Sequence, residues 1–214
     1  MAAHPAGVEA TEEHPLDWLR PRRPPGAVLR VDVDLPAAEL DALARAGRVV
    51  RVTDRVHLAA EAAAWRSGRA AALAAVLGPE HVARGVVGLR AAAWAHGADV
   101  DPAPVELLVP RAVAPWRLPP GVREVTSDVP AAQVVSAAGV RLTSPARTAA
   151  DVARRLPADV AGPLVAALLA RGAQVEEVLA LVDQEHWPWA VRARELVRRF
   201  SRTQGPGSAS SGGR

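Results

Sequence analysis

Apolar positions recur along this chain in short blocks, and the spacing within each block predicts its element. Residues 36–46 place Leu40 and Leu43 on one face, with Pro36 in the first turn and Gly47 at the end, which predicts a short helix. Arg48-Val-Val-Arg-Val52 is strand-like, Thr53-Asp54 is a turn, and Arg55-Val-His-Leu58 returns as a second strand. Residues 26–34 also read as strand. An Ala-rich helix is expected over 60–77, closed by Gly78-Pro79, and another over 87–95 before Gly97. Val105-Glu-Leu-Leu-Val109 is the most strand-like segment and is ended by Pro110; residues 121–126 and 133–142 give further short strands. From Ser144 onward the pattern is helical. Its apolar stripes are Leu164, Val165, Leu168, Leu169, then Val175, Val178, Leu179, Val182, then Ala193, Leu196, Val197, Phe200.

Strands early and helices late predict an α+β fold rather than alternating α/β units. A helix followed by a two-stranded hairpin is the back half of a winged helix. The expected organisation is a disordered N-terminal segment over 1–26, a degenerate winged-helix-like segment over 27–59, a small mixed sheet packed with a C-terminal helical bundle over 60–202, and a flexible tail over 203–214. The first segment mixes Ala, Glu and Pro; the last is Gly- and Ser-rich.

Composition narrows the chemistry. Half of the 214 residues are hydrophobic but only 3% are aromatic, so the core is built from Ala, Val and Leu. There is no Ile, Lys, Asn, Tyr or Cys, as a GC-rich bacterial genome would give. The isoelectric point of about 10.9 suggests a nucleic-acid binder, but the net charge is only +3. With no Lys, Tyr or Cys, little titrates between His and Arg, so a small Arg excess sets the isoelectric point. Without Cys there is no disulfide, thiolate or Cys-ligated zinc; without Lys there is no P-loop lysine or Schiff base. The six His residues lack metal-type spacing, and no cofactor or small-molecule substrate is evident. No signal peptide or membrane span is visible, so a cytoplasmic protein is expected. No enzymatic activity is expected.

The candidate chemistry is sparse. His96 reads as a helix-end residue. Asp183-Gln-Glu-His-Trp-Pro-Trp189 reads as a helix-to-helix corner, with a small pocket as the alternative. Arg45, Arg48, Arg51 and Arg55 fall within eleven residues, and a hairpin pointing them at a phosphate backbone or a solvated Arg-decorated surface both fit. Arg192, Arg194, Arg198, Arg199 and Arg202 in the last helix read as a solvated face, with nucleic acid or an acidic partner as the alternative.

Thr143-Ser-Pro-Ala-Arg-Thr-Ala-Ala-Asp151 is the strongest local signal. It is a helix start after a strand: Thr143 or Ser144 caps the free amides and Pro145 fits the first helical position. Arg147 and Asp151 lie four apart, in the weaker order for a local pair. The expected role of Arg147 is structural, reaching another element and tying the helix to the sheet. The block through Leu156 resembles the hallmark of AbiEi-type proteins, antitoxins of type IV toxin–antitoxin systems and their solitary actinobacterial relatives. Residues 43–52, 69–77, 91–97 and 104–111 resemble other segments of that family, in the expected order. The resemblance implies a winged-helix DNA-binding domain, repression of the protein's own operon through operator DNA, and a C-terminal domain that answers a nucleotidyltransferase-type toxin. The nuclease-like domain of many relatives is not expected to be carried over. Two segments depart from the pattern. Glu39 and Asp41 stand where an Arg-rich recognition helix is usual, and Gly88-Leu89 replaces a frequent Ser-His. Loss of DNA binding with retention of partner binding is the alternative function.

Overall fold

A computed structural model describes residues 27–111, 117–184 and 189–202. The expected disordered segment over 1–26 and the tail over 203–214 lie outside the described residues. The fold is α+β, as the order of patterns predicts.

Strand β1 (Val28–Arg30) is followed by helix α1 (Ala37–Arg45), then β2 (Val49–Arg51) and β3 (Val56–Ala59). The three strands form an antiparallel sheet in the order β1-β3-β2. Helix α1 begins after the extended Pro36 and buries Leu40 completely. It ends at Gly47, whose φ of +68° lets the Arg48 amide reach back to the Leu43 carbonyl at 2.9 Å.

A 3-10 turn (Ala62–Ala64) leads into α2 (Arg66–Arg84). The expected break at Gly78-Pro79 is present as a kink: Gly78 has φ 73° and ψ 165°, and the helix resumes to Arg84. After α2 come β4 (Val86–Val87), α3 (Leu89–Ala95), β5 (Val105–Val109), β6 (Val122–Thr126), β7 (Val134–Ala137) and β8 (Val140–Thr143). These strands form a mixed sheet in the order β6-β5-β4-β8-β7. β4 pairs antiparallel with β5 and parallel with β8; β5 pairs parallel with β6. Every residue of β5 is buried, Glu106 included, so its apolar positions do not alternate with solvent-facing ones.

The C-terminal helices are α4 (Pro145–Arg155), α5 (Ala158–Ala170), α6 (Val175–Gln184) and α7 (Ala190–Arg202). Ala146 to Arg154 are all buried, so α4 is the central helix. Its alanines let α3, α5, α6 and α7 pack around it. One core runs from β1 through α2 to β8 and includes Leu58, Leu73, Leu107 and Leu142. The other joins α4 to α7 and includes Leu164, Leu168, Val178, Leu196 and Val197. Among the described residues no helix is long and apolar enough to cross a membrane.

Candidate functional site

The turn from β8 into α4 is built as a polar knot. Ser144 caps the helix, its Oγ accepting from the Arg147 amide at 3.2 Å, and Pro145 occupies the first turn. Thr148 Oγ1 lies 2.8 Å from the Ser144 carbonyl and 2.7 Å from Thr143 Oγ1. The Arg147 guanidinium spreads over three elements. Its Nε donates to Asp151 Oδ2 at 2.8 Å, one terminal nitrogen to Gln133 Oε1 at 2.7 Å, and the other to Ser127 Oγ at 3.3 Å. Gln133 precedes β7 and Ser127 follows β6, so Arg147 ties the helix to both edges of the sheet. Asp151 Oδ1 accepts from Arg154 at 2.6 Å. The Asp151 side chain is 1% exposed. With both carboxylate oxygens held by guanidiniums, the cluster braces the helix against the sheet.

The arginines around the first sheet are placed differently. Arg45 ends α1, Arg48 precedes β2, Arg51 ends β2, and Arg55 lies in the turn before β3; all four are exposed. They therefore gather at the two ends of β2, about 10 Å apart along three strand residues. Arg51 is paired with Asp54. Glu39 and Asp41 are exposed on α1. Behind them, His57 on β3 is buried, and neither ring nitrogen has a hydrogen-bond partner among the described residues. Burial and then Arg51 hold its pKa below the ordinary value, against the pull of Asp41 and Asp54.

A basic cleft of about 940 Å³ opens between β6, the start of α3, the corner of α4 and α5, and the start of α7. Arg123, Glu124, Arg154, Arg155, Trp189 and Arg192 line it. Arg192 donates to the Leu156 carbonyl and lies 5.7 Å over the Trp189 ring. Beside the cleft, Glu106 is wholly buried and is met by Arg90 at 3.4 Å, Arg123 at 3.2 Å and the Ala91 amide at 3.3 Å. Burial pushes its pKa up, against the pull of these three donors.

These groupings were not visible as such in the sequence. The Glu106–Arg123 pair is a cross-strand register contact between β5 and β6, which no local spacing reveals. Of the Asp183–Trp189 corner, residues 185–188 lie outside the described residues, and Asp183 pairs with Arg194. His96 is the C-cap of α3, as expected of a helix-end residue, but it is 5% exposed and donates from Nε2 to the Thr143 carbonyl at 2.7 Å. Burial lowers its pKa; the Thr143 bond raises it and Arg66 lowers it further.

No curated protein matches the chain. The model of the AbiEi antitoxin C-terminal domain matches residues 85–199. That stretch begins at the end of α2 and closes in α7. It contains the polar knot and the basic cleft, and it excludes the arginines around β2. Since it spans more than half of the sequence, the chain belongs to the AbiEi antitoxin family.

Proposed function

We propose that this chain is a non-catalytic, cytoplasmic antitoxin-type regulator that holds operator DNA with its N-terminal sheet and a toxin of the nucleotidyltransferase type with its C-terminal domain. The observation that carries the DNA reading is the exposure of Arg45, Arg48, Arg51 and Arg55 at the two ends of β2. Arg45, Arg48 and Arg55 have no acidic partner among the described residues. The order β1-α1-β2-β3, with β3 central, supports a winged-helix-like unit over 27–59 whose hairpin is the wing. In that unit the arginines neutralise phosphates and leave base reading to other groups. The AbiEi domain over 60–202 carries the partner surface, with Thr143, Ser144, Pro145, Arg147 and Asp151 as its internal brace.

The test is binding of the purified chain to its own upstream DNA across a salt series. Affinity should fall steeply with salt, and replacing Arg48 and Arg51 with Ala should flatten the log–log slope by about 0.9 for each phosphate no longer neutralised. An unchanged slope in the double variant would remove the hairpin from the interface. Exposed Glu39 and Asp41 on α1 favour a second reading, in which the same fold binds a protein partner without DNA. Absence of binding at low salt, together with rescue of growth when the chain is co-expressed with the neighbouring toxin, selects that reading.

A further inference from the structure

The basic cleft of the C-terminal domain has two kinds of wall. Arg123, Arg154, Arg155 and Arg192 line it against a single acid, Glu124. Leu89, Val125, Leu156, Pro157 and Trp189 make the rest of the lining apolar. Trp189 is 56% exposed. Arg123 is exposed too, while its partner Glu106 is wholly buried and also answers Arg90. One carboxylate between two guanidiniums leaves that group positive where Arg123 lines the cleft. Exposed apolar surface rimmed by charge is the mark of an interaction site. An occupant that suits both walls carries several carboxylates and an apolar cluster, because carboxylates pair with guanidiniums and an aromatic ring packs on an indole.

One segment of the chain itself has that pattern. Residues 8–19, Val-Glu-Ala-Thr-Glu-Glu-His-Pro-Leu-Asp-Trp-Leu, hold four acids and no arginine, and Leu16, Trp18 and Leu19 surround Asp17. Arg20, Arg22 and Arg23 follow in a spacer with Pro21, Pro24 and Pro25, a composition that favours an extended chain.

The tether is long enough. β1 and the approach to β6 meet at a small cavity lined by Arg30, Val31, Pro119 and Pro120. Ala27 and Arg123 stand three residues to either side of it, so they lie within about 30 Å of each other. Asp17 is ten residues before Ala27, a length of chain that spans about 35 Å when extended. Tethering gives the segment an effective concentration of about millimolar at the cleft, so a weak contact is enough to populate the docked form.

We propose that residues 8–19 of this chain dock in the basic cleft, with their carboxylates on its arginines and Trp18 on the wall formed by Trp189. Other arginine-rich surfaces suit the segment less. On the first sheet, exposed Asp32, Asp34, Glu39 and Asp41 stand among the arginines, and residues 27–59 contain no aromatic ring. The cavity lined by Arg66, Arg69 and Arg171 offers only alanines as apolar side chains. The contact is independent of DNA binding at the first sheet. An acidic partner that uses the same cleft has to displace the segment.

Paramagnetic relaxation in the full chain tests the docking. The chain has no cysteine, so Ala10→Cys takes a single nitroxide label. At about 0.01 M salt, where the Debye length is about 30 Å, the amide signals of residues 123–125 and 189–192 should lose at least half their intensity. Those of Arg45, Arg48, Arg66 and Arg171 should keep theirs. Neutralising the segment by Glu9→Gln, Glu12→Gln, Glu13→Gln and Asp17→Asn should restore the cleft signals. Trp18→Ala or Trp189→Ala should restore them in part, and unchanged shifts elsewhere check that the fold is kept. No loss of intensity at the cleft overturns the proposal. So does a loss that survives the fourfold neutralisation, or one centred on Arg45 and Arg48 or on Arg66 and Arg171. A loss of equal size when spin-labelled chain at natural abundance is mixed with unlabelled ¹⁵N chain overturns the tethered contact and makes the occupant a second copy.

Discussion

Asp151 sets the balance of charge inside α4. Its two oxygens are shared between Arg147 and Arg154, whose side chains are 3% and 1% exposed. Replacing Asp151 with Asn keeps the volume but leaves both guanidiniums without that carboxylate. Removing one partner of a buried ion pair costs about 3–5 kcal/mol, and urea unfolding of Asp151→Asn should show a loss of that size; a loss below about 1 kcal/mol would mean that the other bonds of Arg147 and Arg154 carry the brace. His57 gives a second prediction at this scale. Its folded pKa lies below the ordinary 6.5, so below that pH the unfolded chain binds more protons than the fold does. The stability this confers is complete above about pH 6.5 and is lost as pH falls through the folded value. His57→Leu should therefore flatten the fall in Tm between about pH 7.5 and 5. It should not lower Tm at the upper end, because it removes two buried polar atoms that lack partners. Some slope will remain, since His96 is lowered too. A variant with the parent's pH profile would sink the assignment.

Helix α2 links the two sheets, and its start is a tight joint. A Cβ at Gly68 would lie 2.1 Å from the Ala62 carbonyl oxygen, so the helix can dock on the 3-10 turn only with glycine there. Backbone cannot yield as a flexible side chain can. Gly68→Ala should cost at least the 1–3 kcal/mol or so typical of overpacking, read as a Tm drop with the far-ultraviolet spectrum kept; a neutral effect would mean that the turn is loosely held. Elements of this kind differ in how far the sequence announces them. The Ala-rich helix and β5 are legible because each carries many positions of one period. Gly78-Pro79 signals a break, but a local signal cannot say that Pro79 starts a further helical segment beyond the kink. β4 has two residues and no pattern of its own; its partners β5 and β8 make it a strand. Of the polar knot, the start at Ser144 and Pro145 and the reach of Arg147 beyond its own helix were legible, but not the groups it meets. Gln133 and Ser127 stand 14 and 20 residues from Arg147, and only the folded sheet brings them to it.

At the scale of the whole molecule, packing does not mark a boundary between the N-terminal sheet and the rest. Ala27, Val52, Val56 and Leu58 belong to the same buried cluster as Leu73 and Leu77 of α2, Leu107 of β5 and Leu142 of β8. The family match begins only at residue 85, so part of the core that supports it lies upstream of it. Helix α3 joins the two cores: Ala91, Ala92, Trp94 and Ala95 face the first, while Ala93 faces the second. The bond from His96 to Thr143 and the bonds from Arg69 to Trp94 and Ala98 cross the same joint. Units that share buried apolar surface lose it together. Calorimetric unfolding should accordingly show one transition, with van't Hoff and calorimetric enthalpies in agreement. Deleting residues 27–59 should expose Leu73 and Leu77 and produce a chain that binds a hydrophobic dye and melts without a sharp transition. Two separate transitions in the full chain, or a well-folded deletion variant, would show that the first sheet is an independent domain. In that event the DNA reading and the partner reading could be assigned to separable parts, whereas a single transition makes any ligand of one end a stabiliser of the other.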